Sequence, residues 1–131
     1  MPVVDASVLF EYLVGGEHAA GVRGHVAAAW SALWAPHLVD AEVGHALRRG
    51  VAIGEVRAGT AKAAVADLRE LPLHRTAHVG LLERAWSLRA TVSFYDGLYV
   101  ALAERLEMPL LTLDARLAGA SGVRARIEVI A

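Results

Sequence analysis

Residues 93–114, SFYDGLYVALAERLEMPLLTLD, decide the fold. The stretch reads as a cap, an amphipathic helix, a turn and a short buried strand. Tyr95, Leu98, Tyr99, Leu102 and Leu106 recur at helical spacing and form one apolar face. Ser93 is placed to cap this helix, and Asp96, three residues on, to close a capping box. Pro109 disfavours helical geometry in the residue before it and so ends the helix. Residues 110–113 are then too few for a helix and suit an inner strand. Asp114 follows where that strand stops. Two carboxylates therefore stand at the mouth of one helix–strand unit.

Composition bounds what can join them. The chain has 131 residues, 56% hydrophobic and 21% charged, which argues for one folded domain over residues 1–131 and against disorder. A domain of this length buries roughly two-thirds of its unfolded surface. The uncharged apolar runs are too short to cross a membrane. No basic region precedes the N-terminal apolar run, and Asp5 interrupts it, which argues against a signal peptide. Cysteine is absent, so no disulfide framework and no thiolate metal site is expected. A cytoplasmic protein fits these features. The formal net charge of −1 does not announce a nucleic-acid binder, and any basic patch must be built from arginine because Lys62 is the only lysine.

Taken from the start, residues 2–4 suit a short strand with Asp5 at its end, followed by a short helix broken at Gly15 and Gly16. In open α/β sheets ligands gather at the carboxyl edge of the strands. Asp5 can serve there, or simply cap the helix that follows. Residues 18–34 read as a packing helix with Val22, Val26, Trp30 and Leu33 on one stripe and with Trp30 and Trp34 in the core. A third helix runs from 35 to 49 and is packed through Val39, Val43, Ala46 and Leu47. Glu42 lies about 40° to 60° from Val39 and Ala46 on the helical wheel, at the border of that stripe, with Asp40 roughly 200° away from it. An acid in that position needs a partner. His45 or Arg49 can supply one, or Glu42 can belong to a site. Arg48 and Arg49 close the helix, where cations favour the dipole. Residues 55–71 make a second helix of a hairpin, 72–77 a strand, 79–90 a helix, 115–118 a short helix and 126–130 a last strand. Few short strands joined by helices predict a three-layer α/β/α sandwich around a short parallel sheet.

In such a sheet Asp5 and Asp114 end strands on one edge, Asp96 opens a helix, and Glu42 sits in a helix after a possible strand near Trp34. Two carboxylates about 4 Å apart repel by roughly 4 kcal/mol at an effective dielectric near 20. Four cannot stay ionised together without a cation or shifted pKa values. Oxygen-only ligands suit Mg²⁺ or Mn²⁺. Such ions assist in-line phosphoryl displacement. Competing chemistries read poorly. The histidines show no HExxH, and His74 and His78 straddle a strand–helix junction, as surface or structural residues would. Ser7 has no evident histidine partner. GxGxxG and the Walker lysine are absent. An aspartyl-phosphate fold would want a lysine near a later strand end, whereas Lys62 lies in a mid-chain helix.

These residues resemble the PIN-domain family, and within it the VapC-type toxins of toxin–antitoxin pairs. The matching pieces are VVDASVLFEYL (residues 3–13), APHLVDAEVGHALRR (35–49) and SFYDGLYVALAERLEMPLLTLDARLA (93–118), in the family's order and spread over nearly the whole chain. The resemblance implies a metal-dependent endoribonuclease. Its acidic positions fall on Asp5, Glu42, Asp96 and Asp114, with Ser7 and Thr112 as hydroxyls beside the metal. Asp5, Asp96 and Asp114 are expected to hold Mg²⁺ or Mn²⁺, Glu42 to orient or deprotonate the attacking water, and Arg48, Arg49 and Arg116 to hold RNA. A homodimer and a VapB-like antitoxin partner are implied as well. The family often places further polar or acidic residues after the last aspartate, where this chain has Arg116. The competing readings are a PIN nuclease of RNA processing without an antitoxin, and a PIN-like protein-binding module without turnover.

Overall fold

A computed structural model describes all of residues 1–131. Five parallel strands form one sheet in the order β3-β2-β1-β4-β5: β1 (Val3–Val4), β2 (Leu33–Pro36), β3 (Leu73–Thr76), β4 (Leu110–Thr112) and β5 (Ile127–Val129). Six helices connect them: α1 (Ala6–Val14), α2 (Ala19–Ala28), α3 (Leu38–Ala52), α4 (Ala58–Glu70), α5 (Leu82–Ser87) and α6 (Phe94–Leu106). Right-handed crossovers put α1 to α4 on one face, because the chain steps from β1 to β2 to β3 in one direction. The chain then returns to β4 on the far side of β1, which puts α5 and α6 on the other face. The expected three layers and short parallel sheet are therefore observed.

The strand order reverses between β1 and β4. These two neighbours pair Val3 with Leu110 and Val4 with Leu111. The crevice outside their carboxyl ends is the topological switch point, the usual ligand position in such sheets. Asp5 follows β1 directly, and Asp114 comes two residues after β4.

Beneath the crevice Val3, Val4, Leu110 and Leu111 are buried in a single apolar cluster with α6. Gly97 to Ala103 are all buried, so α6 is covered on nearly every side. Gly97 makes this possible. A Cβ there would sit 3.0 Å from the Ala85 carbonyl oxygen, inside the approach of α5 to α6. Arg84 reinforces that approach by donating Nε and Nη2 to the two oxygens of Glu104 at 2.7 and 3.1 Å. On the other face Arg75 grips Asp40 with Nε and Nη2 at 2.7 and 3.0 Å.

The structure corrects several sequence expectations. The helix expected over 18–34 stops at Ala28, and Leu33 to Pro36 are strand. Ser31, at φ 69°, turns the chain out of the helix, and Leu33 and Ala35 are then buried at strand spacing. Trp30 is half exposed rather than core, and Trp34 is partly buried and stacks on His74 with ring centroids 4.6 Å apart. The third helix starts at Leu38, since Pro36 belongs to the strand that pairs with β3. The segment expected as one helix over 79–90 is a 3-10 turn at Val79–Leu81 followed by the short α5, and 115–118 is also a 3-10 turn, Ala115–Gly119. Tyr95, counted in the apolar face of α6, is 58% exposed.

Candidate active site

Each acid reaches the crevice through a local structural device. Asp5 caps α1, its Oδ1 accepting from the Val8 N–H at 3.2 Å. The capping reading and the site reading of Asp5 thus describe one arrangement. Ser93 caps α6 by accepting from the Asp96 N–H at 3.0 Å, which places Asp96 in the first helical turn. Asp114 caps the 3-10 turn that follows β4, accepting from the Arg116 N–H at 3.0 Å. Three of the four acids therefore sit where unpaired backbone N–H groups favour negative charge. Glu42 is the exception, in the second turn of α3, and it accepts from the Tyr99 hydroxyl at 2.7 Å. Neither His45 nor Arg49, its possible partners on the same helix, takes that role.

Asp5 is held by two relays from the end of β4. The Leu113 N–H donates to Ser7 Oγ at 3.1 Å, and the Ser7 hydroxyl donates to Asp5 Oδ1 at 2.5 Å. In parallel the Asp114 N–H donates to Thr112 Oγ1 at 3.0 Å, and the Thr112 hydroxyl donates to Asp5 Oδ2. Because each hydroxyl oxygen accepts from an N–H, its own proton must point at Asp5. Ser7 and Thr112 thus orient the carboxylate.

The acids influence one another. Burial pushes the Asp5 carboxyl above the usual carboxylate range, and the charge of Asp96 adds to this. Glu42 is raised by burial first, with Asp96 and Asp5 adding to it against the Tyr99 hydrogen bond. Asp96 is raised by burial and by Asp114. Tyr99, buried and bonded to Glu42, is held firmly protonated. Only Asp114 is shifted down, because the Arg116 guanidinium donates to it. A pocket of about 230 Å³ opens between Asp96 and Asp114 and is bounded by Thr91, Ser93 and Arg116.

The convergent acids offer only carboxylate oxygens, the donor set suited to Mg²⁺ or Mn²⁺. Their mutual repulsion is what such a cation relieves. The fit is therefore one of chemistry and charge. No three acids or histidines are yet closed around one point. Arg48 and Arg49 are exposed and lie 6 and 7 residues beyond Glu42, roughly 10 Å down α3 from it. Arg116 is the one expected cation that the structure brings to the acids. Tyr99 was missed in the sequence because it fell on an apolar stripe. A buried tyrosine hydroxyl needs a partner, and that need was the available signal.

Comparison with known proteins bears on the family. The PIN domain family matches residues 3–123. The chain is 47% identical to Ribonuclease VapC1 of Mycobacterium tuberculosis over 130 residues, covering 98% of this chain and 96% of the relative. Its fold is similar to that of Mycobacterium tuberculosis VapC20, a sarcin–ricin loop cleaving toxin, with a TM-score of 0.71 at 20% identity over 96% of this chain and 99% of that one. It is also similar to a chain of DNA-bound VapBC from Salmonella typhimurium, with a TM-score of 0.69 at 14% identity over the full length of both. With the acids at the switch point and these likenesses, the chain belongs to the PIN-domain family, among its VapC-type toxins.

Proposed function

We propose that the protein is a metal-dependent endoribonuclease, the toxin of a toxin–antitoxin pair, acting as one PIN domain over residues 1–131 in the cytoplasm. The observation that carries this reading is the meeting of Asp5, Glu42, Asp96 and Asp114 at the β1/β4 switch point, each electrostatically coupled to at least one other. The likeness to a ribonuclease across nearly the whole chain supports it.

Asp5, Asp96 and Asp114 hold Mg²⁺ or Mn²⁺, directly or through water. When bound, the ion supplies Lewis-acid stabilisation of the charge that develops on the phosphoryl oxygens. Ser7 and Thr112 keep Asp5 aimed into the crevice. Glu42 orients the attacking water or takes its proton. Tyr99 fixes that carboxylate while it does so. Attack in line at phosphorus breaks the bond to the 3′ oxygen, leaving a 5′-phosphate and a 3′-hydroxyl. Arg116 at the pocket mouth holds the RNA backbone, with Arg48 and Arg49 as more distant contacts.

A VapB-like antitoxin blocks the acidic crevice, a partner supported by the likeness to a VapBC chain. The protein pairs as a homodimer. The exposed apolar side chains of Val79, Leu82 and Trp86 support this assignment. The helices of the chain include none long and apolar enough to cross a membrane. The test is Asp96→Asn, with folding checked by circular dichroism. RNA cleavage in Mg²⁺ is expected to fall at least ~100-fold, the scale of losing one preorganised electrostatic group. Undiminished cleavage would overturn the assignment of Asp96.

A further inference from the structure

Asp114 differs from the other three acids in being already paired with a cation. Arg116 donates Nε to Oδ1 at 3.0 Å and Nη2 to Oδ2 at 2.9 Å, so both carboxylate oxygens are engaged by one planar fork. The same guanidinium acts on Asp96, where it opposes the repulsion from Asp114. Its side chain is 91% exposed and borders the pocket that Asp96 and Asp114 share. A cation that took Asp114 would have to compete with this fork for both oxygens.

An exposed ion pair of this kind biases an equilibrium by no more than about fivefold. It is therefore strong enough to set the resting position of Asp114 and weak enough to be given up. A divalent ion would still leave the four carboxylates with a net negative charge, and an approaching RNA phosphate would add to it. The guanidinium fork matches a phosphate as well as it matches a carboxylate.

Resting on the nuclease reading, we propose that Arg116 is a resident counter-ion for Asp114 that exchanges with the divalent ion: it holds Asp114 in the ion-free protein, and once displaced it turns its fork to an RNA phosphate at the pocket mouth. Ion binding and RNA binding are thereby coupled through one side chain. RNA meets a free guanidinium only after Asp114 has been taken by the ion.

The test uses the whole protein and the variants Arg116→Gln and Arg116→Lys. Isothermal titration with Mn²⁺ alone is expected to show affinity about threefold tighter in Arg116→Gln than in the parent, as a competitor worth up to about fivefold is removed. Arg116→Lys, which keeps the charge but not the fork, is expected to fall between them. In a second measurement a mixed-sequence single-stranded RNA is bound with Ca²⁺ as the ion. The slope of log affinity against log salt should be shallower by about 0.7 in Arg116→Gln, the share of one phosphate contact on a single strand. Equal or weaker Mn²⁺ affinity in Arg116→Gln, with the parent binding normally, overturns the exchange, and an unchanged salt slope overturns the phosphate contact. A parent protein that takes up no Mn²⁺ at all overturns the nuclease reading and this inference with it.

Discussion

At Glu42 a single hydroxyl decides how a half-buried carboxylate is presented. Tyr99 reaches across from α6 to donate to it at 2.7 Å. That bond favours the ionised carboxylate, against burial and the neighbouring acids, which favour the proton. In Tyr99→Phe the opposing effects remain and the donor is gone, so the Glu42 pKa rises further. Cleavage that needs Glu42 ionised should then lose its acid limb at higher pH, and the pH–rate profile of the variant should be displaced upward. The half-buried carboxylate left without its donor should also cost about 1–3 kcal/mol of stability in a chemical denaturation curve. An unshifted acid limb would show that Glu42 does not act as the base. Asp5, Asp96 and Asp114 were legible as residues because each stands at a strand end or a helix start. Tyr99 was not, since aromatic residues at helical spacing look alike whether or not their hydroxyl has work. The grip of Arg116 on Asp114 was equally hidden, because it depends on a rotamer and on the turn between the two residues.

Among the elements, α6 sets the geometry of the site. Its first turn carries Asp96, its body carries Tyr99, and its seating depends on contact with α5 at Gly97. Gly97→Ala would place a Cβ at 3.0 to 3.2 Å from the Ala85 backbone and side chain. Overpacking of that kind costs about 1–3 kcal/mol, partly offset by about 1 kcal/mol of helix propensity. The variant is expected to melt at lower temperature and to cleave RNA more slowly, since Asp96 precedes the displaced residue. A melting temperature equal to the parent's would mean that α5 and α6 separate without cost. The helix itself was readable from residues 93–106, because Ser93 caps it as its spacing suggested. The reciprocal half of the expected capping box is not made. The Asp96 carboxylate is thus left for the crevice. Strand β2 was legible only as a possible strand near Trp34, overlapped by the helix expected over 18–34. Val22, Val26, Trp30 and Leu33 satisfy a helical period, and only the turn at Ser31 and the pairing with β1 and β3 make Leu33 to Pro36 a strand.

Over the whole molecule, the pattern of short strands joined by helices was enough to place acids at one sheet edge. It could not supply the strand order, which depends on long-range pairing between β1 and β4 across more than a hundred residues. The edge carries an electrostatic cost with a definite sign. Asp5, Glu42 and Asp96 have raised pKa values in the folded state. Above the unfolded values of about 4, the folded protein holds more protons than the unfolded chain, so stability declines as pH rises through that window. Asp114 acts oppositely: Arg116 holds its pKa down, so its contribution is present above about 4 and is lost as pH falls. In chelator, the melting temperature is expected to fall as pH rises above about 4, and Mn²⁺ added at neutral pH should raise it by mass action. A flat profile in chelator would mean that the carboxylates are relieved by something other than a metal ion.

The chemistry of the RNA ends bears most directly on whether the four carboxylates work with a divalent ion. Purified protein is incubated with a mixed RNA pool in Mg²⁺ and, in parallel, in excess chelator, and the termini are sequenced with and without phosphatase and kinase treatment. Cleavage confined to the Mg²⁺ sample, with 5′-phosphate and 3′-hydroxyl ends, is the expected result. Cleavage that persists in chelator and leaves 2′,3′-cyclic phosphates would contradict it, because the ribose hydroxyl would then be the nucleophile and the acids at the β1/β4 edge would have no ion to hold.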